Sequence, residues 1–233
     1  MVIRRMGILV AVAALSAGPL AAQSECASVS PQQMQDACQT AVDAMKAFHP
    51  TMGILVSGGN PVLGVAGTRG GFPHLSASLR VNAAKVSLPN PDSASQSSVP
   101  SSFDGLAPAP VVEATMGVYP GMSGGLLAVD VLASASLLPT NQVDNLTVDS
   151  SATSLGGIAL GIGYGLRVGV LKGAFPIPSV SVSLMRRTLP RLTYGDVNAG
   201  DQIEFSTDLK ATNMRVVAGM RLLLFDVAAG FGR

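Results

Sequence analysis

The sequence predicts an all-β fold: an antiparallel, up-and-down transmembrane β-barrel preceded by a short N-terminal helix. Three observations predict it. The chain is apolar and poor in charge, with 48% hydrophobic and 12% charged residues and a mean hydropathy of +0.42. An ordinary soluble domain carries about 25% charged residues. No segment past the N-terminal leader offers the about 20 uncharged apolar residues that a membrane-spanning helix needs. Finally, large apolar residues alternate with small or polar ones at period two through much of the chain, the pattern of a strand with two unlike faces.

Residues 1–22 have the layout of a secretory signal peptide. Arg4 and Arg5 form the basic start, Ile8–Ala14 the apolar centre, and Leu20-Ala21-Ala22 a small-residue cleavage site. Removing the two arginines takes the formal charge from +1 to −1, which gives no electrostatic case for nucleic acid. Export would place Cys26 and Cys38 in an oxidising compartment, where they can pair. Residues 23–50 form an N-terminal unit. Ser30-Pro31 starts a helix, with Ser as N-cap and Pro at the first helical position. Met34, Cys38, Val42, Met45 and Phe48 share one face of it, and His49-Pro50 is expected to end it. The helix is expected under or inside the mouth of a barrel formed by residues 51–233. Thr51–Gly71 is cut too often by Gly and Pro for a long strand, and is expected to be a loop or short strand.

The regular rhythm begins after Pro73. Leu75, Ala77, Leu79, Val81 and Ala83 alternate with Ser76, Ser78, Arg80 and Asn82. A polar loop is expected over Pro89–Ala109. Val112, Ala114, Met116 and Val118 then alternate with Glu113, Thr115 and Gly117, up to a tight turn at Pro120-Gly121. Gly125, Leu127, Val129, Val131, Ala133 and Ala135 alternate with Ala128, Asp130, Ser134 and Ser136, followed by a polar loop over Pro139–Thr153. Within Leu155–Leu171, Ile158, Leu160, Ile162, Tyr164, Leu166, Val168 and Val170 share one face. Ala159, Gly161, Gly163, Gly165, Arg167 and Gly169 share the other. A short turn near Lys172-Gly173 leads to Val180, Val182 and Leu184, alternating with serines. A third polar loop, Pro190–Asp201, precedes an expected strand in which Ile203, Phe205, Thr207, Leu209 and Ala211 alternate with Glu204, Asp208 and Lys210. That strand is expected to continue through a bulge near Asn213, turn near Arg221–Phe225, and be followed by another strand.

Two regularities tie these segments together. The connections alternate long and short, as a barrel with long extracellular loops and short periplasmic turns requires. Within the strands Arg80, Glu113, Asp130, Arg167, Glu204, Asp208 and Lys210 all fall on the less apolar phase. An Arg or Lys facing lipid at mid-membrane costs about 2–4 kcal/mol, and one facing a lumen far less. These seven residues are therefore candidates to line a lumen, where they would form a charged constriction or neutralise one another. Arg186 and Lys85 fall on the apolar phase near the expected outer rim. A soluble β-sandwich also turns charges outward, so a secreted sandwich acting as a binding module is the alternative fold.

In this architecture the chain resembles the integral outer-membrane β-barrel proteins of Gram-negative bacteria. The resemblance covers the signal peptide and roughly Pro73–Arg233. It implies an outer-membrane location, lipid and the outer-membrane assembly machinery as partners, a small solute as possible cargo, and a structural or porin-like passive-transport role. Such proteins typically end in a strand with a terminal aromatic residue, whereas this chain ends Gly230-Phe231-Gly232-Arg233. About seven strands are legible, and bacterial barrels close on even numbers from eight upward, so the barrel is expected to be incomplete. The aromatic girdle is thin: Tyr119 and Phe175 towards the periplasmic ends, Tyr194 and Phe205 towards the outer ends.

No catalytic centre, metal site or cofactor is expected. Gly121-Met122-Ser123-Gly124-Gly125 matches the G-x-S-x-G nucleophile elbow, but that elbow needs a histidine after the serine. His49 and His74 both precede it. A turn explains the motif more simply, and a serine hydrolase using Ser123 is kept as an alternative. Gly157, Gly161, Gly165 and Gly169 have a helical zipper spacing, yet Gly163 and the β-branched residues between them favour a strand. Two His and two Cys, widely separated, do not make a metal constellation.

Overall fold

The computed structural model describes residues 26–57, 62, 66–92, 101–122, 126–149, 157–173, 177–222 and 225–233. The expected signal peptide (residues 1–22), Ser123 and Phe175 lie outside these residues. Among the described residues, one α-helix, α1 (Gln32–Ser57), precedes ten strands: β1 (Leu75–Pro89), β2 (Ser101–Tyr119), β3 (Val129–Pro139), β4 (Leu146–Val148), β5 (Ile158–Leu171), β6 (Ser179–Thr188), β7 (Leu192–Tyr194), β8 (Phe205–Thr207), β9 (Lys210–Leu222) and β10 (Phe225–Gly232). Seven of them form one antiparallel sheet in the order β1-β2-β3-β5-β6-β9-β10, and β4-β7-β8 form a second, small sheet.

The large sheet is curled into a half-barrel. β2 and β6 are three strand spacings apart, about 14 Å in a flat sheet. Yet Glu113 of β2 and Arg187 of β6 touch at 2.8 Å across the concave side. α1 likewise packs against both β1 and β9. The sheet edges are β1 and β10.

Connections segregate as the sequence predicts. β1–β2, β3–β5 and β6–β9 are joined by long segments at one end, and β2–β3, β5–β6 and β9–β10 by shorter ones at the other. Two expected loops carry structure: β4 lies in the 139–153 segment, and β7 within 190–201. The expected polar loop over Pro89–Ala109 is shorter than predicted, because β2 already begins at Ser101 and pairs with β1 as far as Pro89. Pro108 and Pro110 fall where β3 no longer pairs with β2. There β2 has a neighbour on one side only, a position that tolerates proline. The expected tight turn at Pro120-Gly121 is the start of a connection running to Ala128, so β3 begins at Val129 and Leu127 and Ala128 precede the strand. In it Met122 N–H donates to Leu126 O at 2.8 Å, and Leu127 takes a positive φ of 59°.

α1 passes through Pro50 and ends at Ser57 rather than at Pro50. The extra turns bury Met52, Leu55 and Val56 with Phe48, against Val86 and Leu88 of β1, Ala109 of β2, Leu138 of β3, Ala159 of β5 and Leu209. Burying three such side chains contributes several kcal/mol, enough to offset the backbone bond that proline removes. The small sheet closes this core from above. Phe205 packs edge-on to Phe48 at 6.1 Å, Tyr194 lies 5.4 Å from Phe205, and the Tyr194 hydroxyl donates to Pro89 O at 2.6 Å. Tyr194 and Phe205 therefore belong to the interior and not to an aromatic girdle. Cys26 and Cys38 form the expected disulfide, tying the segment before α1 to its second turn.

Candidate functional site, an apolar outer face around a buried arginine network

The convex face of the sheet is built from the apolar phase of every long strand. Leu75, Leu79 and Val81 of β1, Val112, Met116 and Val118 of β2, and Val131 of β3 are exposed. So are Ile162, Tyr164, Leu166 and Val170 of β5, Leu184 of β6, Met214 and Val216 of β9, and Phe225, Val227 and Phe231 of β10. Strand pairing makes the surface continuous: Val131 sits opposite Met116 and Leu166, and Leu166 opposite Leu184. From Leu106 to Val118 the outward residues of β2 carry no charge. Those twelve steps span about 40 Å along the strand, or about 28–33 Å at usual barrel tilts. The outward charges Lys85, Asp104, Arg186 and Lys210 gather towards the long-loop end, where Lys85 and Asp104 pair at 3.2 Å.

The concave face is the reverse. Its upper part holds the apolar core under α1, and below that it is polar and densely filled. Glu113 is buried and receives Arg80 Nη2 at 2.6 Å and Arg187 Nη2 at 2.8 Å, both on Oε1. Arg187 also donates through Nη1 to Asn213 Oδ1 at 3.1 Å. Arg215, half-buried on β9, interacts electrostatically with Glu113, Arg80 and Arg187. Gly163 makes room for this group, since a Cβ there would meet Ser134 Oγ and Arg187 Cγ.

Four residues along β3 towards the short-turn end, Asp130 is fully buried. Its Oδ2 accepts Arg167 Nη2 at 2.7 Å and Nε at 3.0 Å, and its two oxygens accept the Arg69 backbone N–H at 3.0 and 3.1 Å. This latch holds the segment before β1 against the inner wall. Ser181 Oγ donates to Ala66 O, Val62 packs on Leu132 and Met185, and Gly71 passes where a Cβ on Gly117 would block it. The interior is thus occupied twice, by α1 above and by Val62 and residues 66–71 below.

Of the seven charges singled out in the sequence, Arg80, Glu113, Asp130 and Arg167 lie on this inner face, as two separate pairs, Arg80–Glu113 and Arg167–Asp130. Glu204, Asp208 and Lys210 lie elsewhere. Glu204 is exposed and accepts the Val197 N–H at 3.3 Å, and Asp208 is exposed between β8 and β9. Lys210 opens β9 on the outward phase with Thr212 and Met214. The expected strand from Ile203 through Ala211 is broken after Thr207. Ile203, Thr207 and Leu209 turn inward there, because at this height the apolar residues serve the core under α1. β9 then runs without the expected bulge, and β9 and β10 are joined within the expected Arg221–Phe225 interval. Arg187 and Arg215 are the functional candidates that sequence reasoning missed. Arg187 continues the phase of Ser179, Ser181 and Ser183, and Arg215 lies between the outward Met214 and Val216, so phase alone could have found both.

Comparison with protein-family models, with curated proteins and with solved structures finds no match in any of the three.

Proposed function

We propose that the chain is an integral outer-membrane β-barrel protein of a Gram-negative bacterium, exported by its N-terminal signal peptide. The carrying observation is the inversion of the sheet. Its outward face is a continuous, uncharged apolar band, and its inward face holds the charges. A one-sided antiparallel sheet in water turns its polar face outward. An exposed apolar surface much beyond a few hundred Å² marks contact with a membrane or a partner. The band's height is close to the about 25 Å apolar belt of outer-membrane barrels. The same inversion weighs against a soluble sandwich, whose inner sheet face would need a second sheet where α1, Val62 and residues 66–71 already sit.

Between the two roles open to such a barrel, the filled interior favours a structural one over an open pore. Outer-membrane lipid and the outer-membrane assembly machinery are the partners this reading requires. A small solute would have to find its place among the inner charges. The test is heat-modifiable migration of the detergent-folded chain in gel electrophoresis. The reading predicts a fast-migrating folded band that shifts on boiling. A protein that stays monodisperse in buffer without detergent would overturn it.

A further inference from the structure

On β6 and β9 the outward apolar run stops at one level. Going towards the long-loop end, Val180, Val182 and Leu184 of β6 are followed by Arg186 and Thr188. Beside them, Ala218, Val216 and Met214 of β9 are followed by Thr212 and Lys210. The break falls at the same register on both strands. Leu184 faces Met214, Arg186 faces Thr212, and Thr188 faces Lys210. On β5, the other neighbour of β6, the outward phase stays apolar past this level, with Tyr164 opposite Arg186 and Ile162 opposite Thr188. Arg186, Thr188, Lys210 and Thr212 therefore form a polar notch in the convex face. Exposed apolar side chains border it on β5 and on the side of the band.

Two properties set this notch apart from the other outward charges. Its cations are not neutralised within the protein. Lys85 has Asp104 at 3.2 Å, whereas neither Arg186 nor Lys210 forms an ion pair among the described residues. Asp208, exposed just before β9, stands two residues beyond Lys210, on the side away from the apolar band. The spacing is the second property. Arg186 and Lys210 lie on a cross-strand diagonal, about 7–8 Å apart, within reach of long side chains. Both can therefore meet one anionic group, with the Thr188 and Thr212 hydroxyls between them. Basic side chains at such a border lay their stems on apolar surface and hold their charged heads towards the polar side.

We propose that Arg186 and Lys210, with Thr188 and Thr212 between them, bind the phosphate of one anionic lipid whose acyl chains lie on Leu184 and Met214. Charge complementarity selects the headgroup. A net-anionic phosphate offsets the two cations, whereas a zwitterionic headgroup brings an ammonium of its own. Continuity with the apolar band selects the tails. Free phosphate shares the headgroup chemistry, but its attraction to exposed cations is screened by salt, and it has no acyl chain to cover apolar surface. The site rests on the reading that the convex face meets lipid.

The test is native mass spectrometry of the full chain, folded in detergent and given equal amounts of dioleoyl phosphatidylglycerol and dioleoyl phosphatidylcholine. One phosphatidylglycerol is expected to be retained, with roughly tenfold preference, the size two basic residues give at an anionic lipid surface. Arg186→Gln combined with Lys210→Gln should abolish the preference, and Arg186→Lys should keep most of it. Heat-modifiable migration checks that each variant folds. Should the double change fail to fold, Lys210→Gln alone should lower the preference several-fold. Lys85→Gln removes a cation that is equally outward but already paired, and should leave the preference unchanged. Excess inorganic phosphate should not displace the lipid. Equal retention of the two lipids, a preference that survives the glutamine changes, an equal loss in Lys85→Gln, or displacement by inorganic phosphate would overturn this site. With a heat-modifiable chain, each of those results leaves the membrane reading standing. A chain that is monodisperse without detergent overturns both.

Discussion

The two faces of the large sheet are made by the same strands and differ only in which alternate residue is counted. On β5, Ile162, Tyr164 and Leu166 look outward and stay exposed, while Gly161, Gly163 and Arg167 look inward. On β2, Val112 and Met116 look outward, and Glu113 and Thr115 inward. A one-residue slip would exchange the two environments completely. The contrast teaches that the solvent of each face, rather than the hydrophobicity of the strand as a whole, decides where charge can stand. Inside, charge is held by partners. Outside, it is confined to the long-loop end.

The sharpest way to break the inner half of this contrast is Asp130→Ala. It would strand the buried Arg167 guanidinium and release the Arg69 N–H. A loss of about 3–5 kcal/mol is expected, since removing one partner of a buried pair leaves the other charge uncompensated. Denaturant titration followed by gel mobility measures it. Replacing both partners, Asp130→Leu with Arg167→Met, should cost less than Asp130→Ala alone.

On the outer half the matching change is Leu166→Arg, at the middle of the apolar band. It should cost about 2–4 kcal/mol in a bilayer. Folding yield into lipid vesicles, compared with that of Arg186→Leu, reads the difference. A lipid-facing surface predicts that Arg186→Leu is tolerated and Leu166→Arg is not.

These two changes also mark what was legible in the sequence. The strand phases were legible wherever one face is apolar and exposed and the other a crowded polar interior, because period two then records both. Arg80, Glu113, Asp130 and Arg167 were placed on one face for that reason. Phase failed at Ile203–Ala211, where apolar residues turn inward to a core that exists only because α1 passes Pro50 and lies in the concavity. Nothing local in His49-Pro50-Thr51 announces that continuation, since its stability comes from tertiary burial of Met52, Leu55 and Val56. The latch on the Arg69 N–H was illegible for a different reason: a backbone donor in a glycine-rich segment leaves no residue-type signal.

Smaller effects sharpen the contrast at its ends. Reducing Cys26–Cys38 opens a link across a sequence separation of 12 and should cost about 3 kcal/mol or somewhat less. Because the bridge lies before the inner core and not in the sheet, the loss should appear as earlier release of α1, read by proteolysis near residues 26–40. At the long-loop end, Asp92 shares a hydrogen bond with Asp201, and that bond, aided by desolvation and repulsion from the Asp201 charge, holds the Asp92 carboxyl above its ordinary range. The folded state then keeps this proton more readily than the unfolded state. The contact's contribution is greatest at acid pH and is lost as pH rises through the raised value. Asp92→Asn should remove that pH dependence, seen by NMR titration of the Gln202 amide, which donates to Pro91 O.

The most direct measurement is a cysteine scan along Val131–Ser136 and Ser181–Leu184 in vesicles, each site carrying a fluorophore challenged by a quencher confined to the lipid tails. The account predicts quenching at Val131, Ala133, Ala135, Val182 and Leu184, and protection at Ser134, Ser136, Ser181 and Ser183. Quenching without period two, or protection at both sets of positions, would contradict an outer face that meets lipid and an inner face that holds charge.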